Sequence, residues 1–78
     1  MDEETVKKKL MAEDQEFNEL IHEHQQCEEK LKFFDEKKYL TEEERIREVE
    51  IKKMKLGIKD KIYQRIRVYQ QNLENQNH

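Results

Sequence analysis

The segment Phe33-Phe-Asp-Glu-Lys-Lys-Tyr-Leu-Thr-Glu-Glu-Glu-Arg-Ile46 decides the fold, because it interrupts one helical pattern and starts another. Asp35 to Lys38 is entirely polar, and Thr41-Glu-Glu-Glu44 then carries a helix start signal. The Thr41 hydroxyl is placed to accept a backbone N–H three residues on, and Glu44 to reach back to the Thr41 N–H, as in a capping box. Three carboxylates in that first turn also suit the positive end of the helix dipole. The segment therefore predicts a joint at about 36–41, between a first helix at about 5–35 and a second at about 42–72, with a frayed tail at 73–78. No glycine closes the first helix, so the alternative is one helix running straight through.

Outward from the joint, apolar side chains recur at helical spacing. In the first helix Val6, Leu10, Phe17, Leu20, His24, Cys27, Leu31 and Phe34 follow a heptad interrupted only at Glu13. At about 100° per residue they share one sector with Ile21, and the rest of the surface is mostly Glu, Lys, Asp and Gln. The second helix carries Ile51, Met54, Ile58, Ile62, Ile66, Tyr69 and Leu73 on one side. A further set, Ile46, Val49, Leu56 and Tyr63, occupies another sector. No period-two strand pattern appears.

Two long helices on a short connection become antiparallel neighbours. The expected hairpin seam then joins Leu10, Phe17, Leu20, His24, Cys27, Leu31 and Phe34 to Ile51, Met54, Ile58, Ile62, Ile66 and Tyr69. Phe17 falls near Ile62, Leu20 near Ile58, His24 near Met54, Cys27 near Ile51 and Leu31 near Ile46. The fold class is all-α, an antiparallel, coiled-coil-like hairpin forming one domain. A single seam is less than a full core, and chains below about 70–80 residues seldom gain more than 3–5 kcal/mol from one core. The surplus set Ile46, Val49, Leu56 and Tyr63 is therefore expected to be a second interface. The simplest assembly is a C2 homodimer building a four-helix bundle, with a higher homo-oligomer or an unidentified protein partner as further options.

Composition agrees with that architecture. The 78 residues include 16 Lys+Arg and 19 Asp+Glu, and 45% of the chain is charged against 33% apolar. Globular domains are roughly 45–50% apolar and about 25% charged, whereas long helices are rich in Ala, Glu, Lys, Leu and Arg. This length excludes a multidomain enzyme or a sheet-based nucleotide fold. No apolar run approaches the about 20 residues of a membrane span. The N-terminus, Met-Asp-Glu-Glu-Thr, lacks the basic-then-apolar layout of a signal peptide. A cytoplasmic location is the expectation, and a lone Cys27 agrees with it. Residues 1–40 hold 12 acidic and 7 basic side chains, and residues 41–78 hold 7 and 9. The two halves attract each other when laid side by side, which selects orientation more than it stabilises.

Two segments resemble a known family. Phe17-Asn-Glu-Leu20-Ile-His-Glu23-His24 with Leu31 is similar to the F-x-x-L-x-x-x-H segment of the YdcH-like family. Lys52-Lys53-Met-Lys55-Leu56-Gly-Ile58-Lys59-Asp60-Lys61-Ile62 is similar to that family's K-K-x-K-L-x-x-K-D-x-I segment. The resemblance spans about residues 15–66. It implies a small bacterial, cytosolic helical hairpin of uncharacterised function, with no catalytic residues to carry over. Cys27, where the family more often has an aliphatic residue, and Gly57 depart from the pattern.

The remaining motifs favour ordinary packing over chemistry. His22 and His24 point about 200° apart on a helix and cannot share one ion. His24 and Cys27, at i and i+3, face the same way but give half of a four-ligand zinc site. They read better as seam residues, Cys27 as a small hydrophobe. Nothing in the sequence orients Cys27 as a nucleophile or supplies oxyanion donors, so no enzyme activity, cofactor or metal is expected. Gly57 either lets another backbone approach or is a tolerated surface residue. The nine cations between Arg45 and Arg67 are the best basis for an alternative role in nucleic-acid association. They scatter around the helix axis, however, and the sequence pI near 5.6 is far from that of a typical nucleic-acid-binding domain.

Overall fold

The computed structural model describes residues 2–76. They form three helices, α1 (Glu3–Glu13), α2 (Gln15–Asp35) and α3 (Glu42–Gln76), with no strand among the described residues. The molecule measures 56 × 19 × 17 Å. At about 1.5 Å per residue α3 alone accounts for roughly 52 Å of the long axis. α2 packs along α3, and α1 touches both. No helix among the described residues is long and apolar enough to cross a membrane.

The first helix expected at 5–35 is two helices, divided at Asp14. Asp14 adopts extended backbone angles (φ −119°, ψ 107°) and serves both neighbours. Its N–H donates to the Leu10 carbonyl at 2.8 Å, closing α1. Its carboxylate accepts the Phe17 N–H at 3.1 Å, opening α2. An aspartate that bonds nearby N–H groups competes with helix continuation, which is why it suits a cap better than a helix interior. The heptad interruption at Glu13 was the trace of this break in the sequence. Asp2 caps α1 in the same manner, accepting the Thr5 N–H at 2.8 Å.

At the 36–41 joint the Thr41 hydroxyl accepts the Glu44 N–H, and Glu44 accepts the Thr41 N–H, both at 3.1 Å. Lys37 reaches across to the same Glu44 carboxylate and also lies 4.8 Å from the centre of the Phe33 ring. Thr41→Ala should cost about 1 kcal/mol of stability and Thr41→Ser much less, as is usual for a lost hydroxyl cap. Urea midpoints check this; equal midpoints for Thr41→Ala and wild type would show that the box does not anchor α3. At the far end α3 extends through Gln76, past residue 73 where a tail was expected to begin. Leu73 is half-buried and the last turns contain no helix breaker. Asn77 and His78 lie outside the described residues.

The core joins all three helices. Val6, Leu10, Phe17, Cys27, Ile58, Ile62 and Ile66 form one buried cluster, with Leu20, Ile21, Ile51 and Tyr69 packed against it. Phe34 is buried nearer the joint and meets the exposed Phe33 edge to face, with ring centroids 5.7 Å apart. Burial of such side chains at roughly 1.5–3 kcal/mol each is the main force holding α2 on α3.

Candidate interaction surface

The residues assigned to the seam differ in burial. Leu10, Phe17, Cys27, Phe34, Ile58, Ile62 and Ile66 are buried, and Leu20, His24, Leu31, Ile51 and Tyr69 are half-buried. Met54 does not belong there: it is 59% exposed. Lys55 takes its place, half-buried along its stem with its ammonium 3.5 Å from Glu28. A long lysine can cover apolar surface while keeping its charge in water, so apolarity alone misassigned this position. The expected pairings of His24 with Met54 and of Leu31 with Ile46 fail accordingly, because Met54 and Ile46 face solvent. The cross-seam ion pairs Glu16–Arg65 and Glu28–Lys55 show a register about one helical turn further along α3.

His24 keeps its Nδ1 3.6 Å from Glu28, while its buried Nε2 has no hydrogen-bond partner. Cys27 is a buried free thiol. Among the described residues no group of three or more His, Cys, Asp or Glu side chains is placed to hold a metal. The depressions along the seam are open to solvent, as in the groove between Glu19, Glu23, Lys61 and Gln64.

The feature that stands out lies on the opposite side of α3. Ile46, Val49, Leu56 and Tyr63 are all exposed, by 43% to 63%. Val49, Leu56 and Tyr63 repeat every seven residues, which keeps them within roughly 40° of one another around the helix. Polar residues separate and flank them: Lys52, paired with Glu48 at 3.4 Å, and the exposed Arg45, Lys53, Lys59, Asp60 and Arg67.

What holds that face outward is the packing of α3 on its other side, and there a polar cluster was missed in the sequence. Arg65 donates to Asp14 at 2.8 Å and to Glu16, tying the α1–α2 break to α3. The Phe17 N–H, and then Arg65, hold the Asp14 carboxyl below its ordinary value of 3.8. Lys37 and the Thr41 N–H do the same to Glu44, ordinarily 4.5. A carboxyl depressed in the folded state stabilises it above the ordinary value, and that contribution is lost as pH falls through the folded value. Acid should therefore weaken the fold below about pH 4.5, with Asp14 acting below about 3.8. Asp14→Asn can still cap α2 but has no charge to titrate. Its melting temperature should fall less steeply than that of wild type between pH 4 and 2; parallel curves would show that the Asp14–Arg65 contact is without effect. The spacing of Asp14, alone before a fresh apolar repeat, was the signal available for the cap, but nothing in the sequence marked Arg65 as its partner.

No family model, no curated protein and no solved structure matches the chain.

Proposed function

We propose that this chain is a non-enzymatic helical interaction module that self-associates through the outer face of α3, most simply as a C2 homodimer completing a helical bundle. The observation that carries this reading is the exposed row Val49, Leu56 and Tyr63 with Ile46 beside it. An amphipathic helix needs only apolar anchors and a complementary surface to bind a partner, without catalytic groups. The small core gives a second reason, since chains of this size are commonly stabilised by association. A YdcH-like, cytoplasmic bacterial protein is part of this proposal. Nucleic-acid association has less in its favour. Of the nine cations between Arg45 and Arg67, Lys52, Lys55 and Arg65 already face carboxylates, and the others are spread around α3.

Sedimentation across a wide concentration range tests the proposal. The expected result is a reversible shift from the chain mass of 9.8 kDa to twice that value. A folded 9.8 kDa species at every concentration would overturn it. Retention on heparin at physiological salt by such a monomer would favour the phosphate-binding alternative.

A further inference from the structure

α1 is a complete helix in its own right. Asp2 caps its start by accepting the Thr5 N–H at 2.8 Å, and the Asp14 N–H closes its end on the Leu10 carbonyl at 2.8 Å. α2 is equally complete without it. The Asp14 carboxylate accepts the Phe17 N–H and the Asp14 carbonyl accepts the Asn18 N–H, each at 3.1 Å. Arg65 holds the Asp14 and Glu16 carboxylates, so that clasp joins the start of α2 to α3. Among the described residues no hydrogen bond or ion pair joins a side chain of α1 to either of the other helices. Only Val6 and Leu10 of α1 are buried, and the groove between Leu10 and Val68, Tyr69 and Asn72 of α3 is open to solvent.

The bonds made by Asp14 fall on opposite sides of one rotatable bond. Its N–H moves with the preceding peptide, and so with α1. Its carboxylate and carbonyl are attached through Cα and stay with α2. Turning φ of Asp14 therefore swings α1 without breaking the bonds that end α1 or those that begin α2. At φ −119° and ψ 107° Asp14 lies inside the broad β region, where φ has roughly 40° of freedom either way. Hinges are commonly residues of this kind, at the end of an element.

We infer that α1 is a releasable lid, which opens as a unit about Asp14 while α2 and α3 remain paired. The burial of Val6 and Leu10 is what keeps it shut. Opening bares the part of the core that these two share with Ile62, Ile66 and Tyr69 of α3. Local opening is easiest where few apolar contacts hold a segment. Once released, a helix of 11 residues loses its shape, since isolated helices below about 12–15 residues are marginal in water. Ile46, Val49, Leu56 and Tyr63 are exposed with the lid closed, so the inference does not depend on the proposed self-association.

Amide hydrogen exchange of the full chain, resolved by residue, tests the lid. Amides of residues 7–14 should exchange through one common opening, at a lower free energy than amides in the middle of α2 and α3. Val6→Ala removes two buried methyl groups and should speed exchange of all of them by about tenfold, Asp14 included. The Phe17 and Asn18 amides should be unchanged, because their acceptors stay with α2. Leu10→Ala should act in the same sense. Protection that rises steadily from Lys7 to Asp14, with the Asp14 amide indifferent to Val6→Ala, would mean fraying from the end and no lid. Acceleration by Val6→Ala that spreads equally through α2 and α3 would mean that the three helices open together, which overturns the lid as well.

Discussion

Phe17→Ala should unfold most of the chain under conditions where wild type is folded. Phe17 is fully buried, at 0% exposure, in the first turn of α2, where its backbone N–H is also the donor that Asp14 accepts. It packs in the cluster that joins α1, α2 and α3. Truncating a buried phenylalanine costs about 3–5 kcal/mol, from lost transfer energy and the cavity left behind. That equals the whole of what a chain this small usually draws from its core. Urea denaturation followed by far-UV circular dichroism should show little or no pretransition baseline for the variant. Phe33→Ala is the control, since Phe33 is 58% exposed and such a change usually stays within about 0.5 kcal/mol. A Phe17→Ala midpoint close to that of Phe33→Ala would mean the core has been placed wrongly.

Leu56→Lys should have the opposite profile, leaving the single chain folded and abolishing association. Leu56 is exposed and contributes nothing to the buried cluster, and leucine and lysine have similar helix propensities. At a dimer interface the loss is counted twice, because a C2 contact uses the same residue from both copies. At roughly 1.5–3 kcal/mol for each buried leucine, two copies amount to about 3–6 kcal/mol, or roughly 10²–10⁴-fold in the dissociation constant. Tyr63→Lys should act in the same direction. Unchanged oligomeric mass in both variants would move the interface off this face, whereas loss of helicity would mean that Leu56 supports the single chain itself.

These two residues also show how far the sequence can be read. Phe17 was legible as core because it sits in a heptad of apolar residues whose opposite face is charged, a pattern with only one packing solution on a helix. Leu56 was legible as surplus for the converse reason: it falls outside the stripe that faces α2. Met54 and Lys55 were not legible. They are adjacent at the edge of the stripe, and a few tens of degrees of helix rotation choose between them. The rotation is set by how the whole of α2 seats on α3, and the flexible lysine stem adapts to it.

By itself the sequence determined that the chain is all helical, where the second long helix begins and which stripes seek burial. Those properties follow from local periods and from a cap whose partners are three residues apart. Only the tertiary structure decided that α1 and α2 part at Asp14 and that the register lies about one turn further along α3. It also decided that Arg65 fastens the break. Asp14 favours a cap over a helix interior locally, but its partner Arg65 is 51 residues away and meets it only once the fold has brought α3 alongside.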